Sequence, residues 1–198
     1  MKTQTKETLA AMTPEKALDL LKEGNQRFIK KKKEQRDLLE QVEVTSSGQY
    51  PFGVVLGCVD SRVPLEVVFD LGIGDIFGIR IAGNFVNEDI LGSMEFACKV
   101  VGSKHILVLG HTSCGAVKGA YDGVELGNLT GLVNKIKPAV EAAGPDASLD
   151  KIAKKNVELT IEQIYQNSPI LKEMSENGEI QISGGMYDVS SGEVSFLK

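Results

Sequence analysis

A thiol, a carboxylate and a guanidinium stand at alternate positions in Cys58-Val59-Asp60-Ser61-Arg62-Val63-Pro64. These three groups are poor material for a core, and together they form a chemical set. Cys58 and Asp60 are both able to coordinate a metal, and Arg62 is able to hold the Asp60 carboxylate in a two-pronged hydrogen bond. A second cluster, His111-Thr112-Ser113-Cys114-Gly115, follows 53 residues after Cys58. Thiolate and imidazole ligands in this combination suit zinc.

The flanking segments say how the two clusters meet. Phe52-Gly53-Val54-Val55-Leu56-Gly57 and His105-Ile106-Leu107-Val108-Leu109-Gly110 are short apolar runs that read as buried strands. Each ligand cluster therefore sits at the carboxyl end of a strand, where open α/β sheets place their sites. If the strands are parallel, Cys58, His111 and Cys114 form one candidate metal set with Asp60 beside it.

The 198-residue chain, with 42% hydrophobic residues, suits a single α/β domain with a sizeable core. Its fold class is a mostly parallel central sheet flanked by helices. An N-terminal helical arm (residues 1–44) precedes the zinc-binding α/β domain (45–198), and the C-terminal strands extend the sheet. Within the arm, residues 1–12 read as a loose polar lead and Thr13-Pro14-Glu15 as a helix start. A second helix is expected over about 35–44. The basic run Lys30 to Lys33 reads as a solvated helix end rather than a site for an anionic partner, given a net charge of −5. That balance argues against nucleic-acid binding. No stretch approaches ~18 continuous apolar residues, so no membrane span is expected, and no apolar leader is visible. Three cysteines are too few for a disulfide scaffold and fit a reducing, cytoplasmic setting. Cys98 lies on an apolar helical pattern over about 89–101 and reads as a core thiol. Single helices are expected over 128–142 and 150–166, another short one from Ser168-Pro169, and strands at 180–183 and 194–197. Gly115 opens a helix whose first N–H groups face the site.

Taken together, Cys-x-Asp-Ser-Arg (Cys58, Asp60, Ser61, Arg62) and Gly-His-x-x-Cys-Gly (Gly110, His111, Cys114, Gly115) resemble the β-class carbonic anhydrases. The likeness continues through Arg80-Ile81-Ala82-Gly83-Asn84 and Tyr187-Asp188. It implies one Zn2+ per chain on Cys58, His111 and Cys114, an Asp60–Arg62 dyad, and Asp60 as a conditional fourth ligand. It also implies carbon dioxide and bicarbonate as substrate and product. A zinc with three protein ligands keeps a water whose pKa falls to about 7, supplying hydroxide to attack carbon dioxide. The substrate pocket is expected from Gln49, Phe77, Ala82, Phe96 and Gly115. A homodimer or higher even oligomer is implied, with the arm embracing the partner and pockets shared across the interface.

Val59 and Phe96 depart from the serine and tyrosine usual in plant-type relatives. Val55 stands where bicarbonate-inhibited relatives carry tryptophan, although Gly57 resembles that group. His105, six residues before His111, is expected at the opposite sheet edge and is a poor proton shuttle. Two rival functions share the ligand set: hydrolysis of a carbon dioxide analogue such as carbon disulfide, and a structural or redox-sensing zinc module closed by Asp60.

Overall fold

A computed structural model describes residues 3–197. Its five-stranded sheet has the order β2-β1-β3-β4-β5, with β1 (Gly53–Gly57), β2 (Ile76–Arg80), β3 (His105–His111), β4 (Gln181–Tyr187) and β5 (Val194–Phe196). β1 pairs in parallel with β2 and β3, β3 pairs in parallel with β4, and only β5 runs antiparallel. Both faces of the central strands are covered, so β1 and β3 are apolar at every internal position instead of alternating.

Side chains of alternate strand residues enter two cores. Val54, Leu56, Ile106 and Val108 pack with Ile90, Leu91 and Met94 of helix α5 (Glu88–Glu95), Val157 and Ile164 of α9 (Leu149–Asn167), and Leu171 and Met174 of α10 (Pro169–Glu176). Val55, Leu107 and Leu109 face the other way, against Ala17 and Leu21 of α2 (Pro14–Ile29) and Leu65 and Val68 of α4 (Leu65–Val68). Thr13 caps α2 through the Lys16 N–H, with Pro14 in the first turn, as its sequence predicts.

The arm departs from expectation in two places. Residues 1 and 2 lie outside the described residues, but the rest of the polar lead contains α1 (Lys6–Ala10), closed by a reciprocal capping box between Thr5 and Thr8. The apolar face of α2 is covered by its own chain. Gly24 passes so close to Phe69 that a Cβ there would lie 1.8 Å from the Phe69 carbonyl oxygen. Beyond α2, buried Asp70 accepts from Arg27 Nε at 2.6 Å, Arg36 Nη1 at 2.8 Å and the Glu34 N–H at 3.2 Å. These bonds latch the arm to the sheet domain. Uncovered apolar surface is instead found on α3 (Leu38–Thr45), where Leu39 is 81% exposed.

Three further boundaries differ. The segment 89–101 is α5 followed by a π-helical turn, Phe96–Val101. Residues 128–142 split into α7 (Gly127–Asn134) and α8 (Lys137–Ala143), because Pro138 lacks an N–H and fits only a new first turn. β4 reaches Tyr187, since its glycines Gly184 and Gly185 allow close packing that apolar patterning does not register. Cys98 is buried, and burial pushes its thiol up to about 12.

His105 opens β3 at the edge opposite His111, fully buried, with Nε2 2.8 Å from Ser183 Oγ. Burial, aided by Lys22, pulls its pKa down to about 4. The folded chain thus binds this proton only near pH 4, whereas the unfolded chain binds it below about 6.5. Stability is full above about pH 6.5 and falls by about 3 kcal/mol as pH drops through 4. Urea midpoints measured from pH 7 to 4.5 should fall less for His105→Gln than for the parent chain; parallel curves would show that His105 is not held neutral.

Candidate metal centre

The parallel register aligns Gly57 of β1 with Leu109 of β3 and with Arg80 of β2. Cys58 follows directly from β1, and His111 ends β3 two residues beyond Leu109, the partner of Gly57. Cys114 then precedes α6 (Gly115–Tyr121). The ligand atoms of Cys58, His111 and Cys114 lie within 4.8 Å of one another, and all three residues are buried.

The donor chemistry fits a metal. His111 Nδ1 lies 2.9 Å from the Thr112 carbonyl oxygen and donates to it, which leaves the Nε2 lone pair free. That buried Nε2 has no hydrogen-bond partner. An orphaned imidazole nitrogen facing two thiol sulfurs is what a metal ligand looks like before the ion is added. Cys58 Sγ accepts from the Gly83 N–H at 3.3 Å. The hydrogen bond from the Cys114 thiol, with the neighbouring His111 and the Gly83 and Asp60 main chain, pulls the Cys58 pKa down despite burial. Cys114 is pushed up by donating to Cys58 and by burial, although the Val117 and Ala116 N–H groups at the start of α6 oppose this. The two sulfurs thus interact directly, and a divalent cation bound between them would favour both as thiolates. Burial is the largest influence on His111 and pushes its pKa down, but its interaction with the Cys58 sulfur, the Thr112 carbonyl and Asp60 outweighs burial, so the net shift is upward.

Asp60 stands beside the cluster, Oδ2 4.0 Å from His111 Nε2. Arg62 grips it with Nε to Oδ1 at 2.9 Å and Nη2 to Oδ2 at 2.8 Å, and the Arg62 N–H donates to Oδ1 at 2.9 Å. This fork holds the carboxyl well below the usual carboxylate range. Arg62 Nη2 also donates to the Ser113 carbonyl at 3.2 Å, linking the two ligand turns.

Other residues set these turns without having been assigned a role from the sequence. Arg80 donates to the Cys58 and Asp60 carbonyls. Asp150 accepts the Ser113 N–H at 2.8 Å, steadying a residue whose φ of 54° is costly for serine. Asn156 donates to the Gly83 carbonyl at 2.7 Å. Gly83 has φ 78°, and a Cβ would lie 2.4 Å from Ile136 Cδ1, so only glycine presents its N–H to the Cys58 sulfur. The stretch Arg80–Asn84 signalled its importance, but no local pattern assigns Asp150 or Asn156 to partners 37 and 73 residues away.

Among the expected pocket residues, Ala82 and Gly115 adjoin the cluster, next to Gly83 and Cys114. Gln49 precedes β1 at the opposite sheet edge. Phe77 pairs with Val54, three positions before Arg80, and stacks edge-on with Phe96 at a centroid distance of 6.1 Å. Gln49, Phe77 and Phe96 are thus not brought to the cluster of their own chain.

Residues 53–194 match the family model described as "Carbonic anhydrase". "Carbonic anhydrase 2" of Mycobacterium tuberculosis is 34% identical over 187 residues, covering 90% of each chain. The chain belongs to the β-carbonic anhydrase family. The carbonic anhydrase of Mycolicibacterium smegmatis is 33% identical over 190 residues, covering 91% of this chain and 92% of that one. Among solved structures, the β-carbonic anhydrase CafA of Aspergillus fumigatus superposes with TM-score 0.73 at 30% identity over 81% of each chain. Membership of this family makes the chain a carbonic anhydrase by enzyme class, and the Cys–His–Cys set is its candidate metal centre.

Because the candidate set offers three protein ligands, Cys58→Ser and His111→Ala should each lose bound metal and activity together. Metal quantified after dialysis is the check, and stoichiometric metal retained in both variants would remove these residues from the candidate set.

Proposed function

We propose that this β-carbonic anhydrase catalyses zinc-dependent, reversible hydration of carbon dioxide to bicarbonate, with one zinc on Cys58, His111 and Cys114. The observation that carries this reading is the buried, partnerless His111 Nε2 converging with two sulfurs while the neighbouring carboxylate is held by arginine. Zinc bound there supplies a Lewis acid and, at neutral pH, a hydroxide nucleophile. Two thiolates neutralise the ion's charge. Asp60 serves as hydrogen-bond acceptor at Oδ2, and the double grip of Arg62 fixes the direction of its lone pairs. The same grip keeps Asp60 from closing the coordination shell, which favours an enzyme over a structural or redox-sensing zinc module. The ligand thiols must stay reduced, which fits a cytoplasmic setting.

The active assembly in this proposal is a dimer or higher even oligomer whose partner covers the β2 flank. Support comes from the apolar side chains exposed there: Leu38, Leu39 and Val42 on α3, and Phe96 and Val100 beside β2. A groove of about 670 Å³ between Phe77, Ile79, Gly92 and Phe96 opens on the same flank. A relative from Sordaria macrospora, 25% identical with TM-score 0.70 over 80% of this chain and 89% of that one, is described as tetrameric. Phe77, Phe96 and Gln49 would then serve the pocket of the partner, joined by Ala82 and Gly115 from the chain that holds the metal. Residues 1–44 contribute α3 to this contact and α2 to the chain's own core.

Arg62→Ala frees Asp60 to take the open coordination position. Zinc content should stay at one per chain while stopped-flow hydration falls at least 100-fold; near-normal hydration would refute the role given to the dyad. Leu39→Asp combined with Val42→Asp should shift light-scattering mass to the monomer and lower hydration at least tenfold. An active monomer would show that the pocket is complete within one chain.

A further inference from the structure

The Asp60–Arg62 pair is local to its turn. Arg62 bonds Asp60 through its main chain and its guanidinium, and the Val63 N–H donates to the Asp60 carbonyl at 3.0 Å. Such a unit moves as a body, so it does not determine its own distance from the Cys58 sulfur. That distance requires a tie to another element. Arg62 Nη2 reaches the Ser113 carbonyl at 3.2 Å, and the shorter tie comes from Arg80 at the end of edge strand β2. Arg80 Nε donates to the Cys58 carbonyl at 3.0 Å and Nη2 to the Asp60 carbonyl at 2.6 Å.

These two carbonyls belong to the residues that carry the metal-binding sulfur and the dyad carboxylate. A planar guanidinium spans two acceptors at a spacing set by its own covalent geometry, which an ammonium does not reproduce. The Asp60 carbonyl already has the Val63 N–H, so at that end of the fork Arg80 does not rescue an orphaned acceptor. Arg80 is exposed, and the apolar clusters do not include it. Its contribution is therefore geometric. Three residues further along the same chain, just past β2, the Gly83 N–H donates to the Cys58 sulfur itself, so the end of β2 and the turn after it grip Cys58 at both carbonyl and sulfur.

We propose that Arg80 is a positioning residue for hydration: its fork across the Cys58 and Asp60 carbonyls sets the separation of the ligand sulfur from the dyad and keeps Asp60 off the metal. This inference rests on the zinc-dependent reading above. Without the fork, the turn is free to shift, the geometry that lets Arg62 hold Oδ2 is lost, and the carboxylate swings toward the centre.

The test uses the full chain loaded with zinc for kinetics and with cobalt(II) for visible spectra. Arg80→Met and Arg80→Lys are compared in the parent and in Asp60→Asn. In the parent background, Arg80→Met should lower kcat about tenfold or more, in the range usual for residues that orient a metal site, with Arg80→Lys between. In Asp60→Asn the same change should cost less than about twofold, the non-additivity expected of residues acting through one group. The cobalt spectrum of the parent should change between about pH 6.5 and 9, and that of Arg80→Met should lose this dependence as the carboxylate occupies the solvent position. Equal losses in both backgrounds with a parent-like cobalt titration would overturn the proposal and leave zinc-dependent hydration intact. A parent chain without metal or hydration overturns both. If Arg80→Met fails to fold, Arg80→Lys carries the same comparison.

Discussion

The in-register parallel pairing of β1 with β3 is the constraint on which the rest of the molecule depends. With Gly57 opposite Leu109, the turns that leave these strands emerge side by side at one edge. That pairing brings the ligand atoms of Cys58, His111 and Cys114 within 4.8 Å of one another although 53 residues separate Cys58 from His111. A one-residue slip would send the inward side chains to the opposite face. The register is held because both faces of the strands are packed: α5, α9 and α10 on one side, α2 and α4 on the other.

Bringing two sulfurs and an imidazole into a buried space creates an electrostatic problem that the surrounding main chain resolves. A buried thiolate needs donors, and the Gly83, Ala116 and Val117 N–H groups supply them. The imidazole needs a fixed tautomer, and the Thr112 carbonyl supplies it. The carboxylate nearest the centre would compete for the ion, and Arg62 restrains it. Each solution uses a group within a few residues of a strand end, so the sheet edge builds the ligand set and the surrounding hydrogen bonds together. Asp150 and Asn156 of α9 then tie two of these turns to the helical layer.

The β2 flank is organised differently. Phe77 and Phe96 pair on the outer flank of β2, near exposed Val100 and away from the ligands of their own chain. An edge strand flanked by uncovered apolar side chains is a liability for a monomer. In the proposed oligomer the same surface is productive, because covering it completes a pocket. The α2 segment does not share this role: its apolar face and the buried Asp70 network belong to the chain's own interior.

The sequence by itself determined the candidate metal set, the Asp60–Arg62 pair and the α/β class, because each rests on local information. Cys58, Asp60 and Arg62 fall within five residues, His111 and Cys114 within four, and each group directly follows an apolar run bounded by glycine. Helix starts such as Thr13-Pro14 are equally local. Misplaced boundaries had local causes too, but weaker ones: the Thr5–Thr8 capping box lies in a polar stretch, and Pro138 interrupts an otherwise continuous helical pattern. What only the tertiary structure decided is which distant groups meet. Sequence spacing carries no information on the fork of Arg80 onto Cys58 and Asp60, or on Asp150 beneath Ser113. The placement of Gln49, Phe77 and Phe96 away from their own ligand cluster was equally hidden, because strand direction and register, rather than residue type, set how far along the sheet each side chain stands.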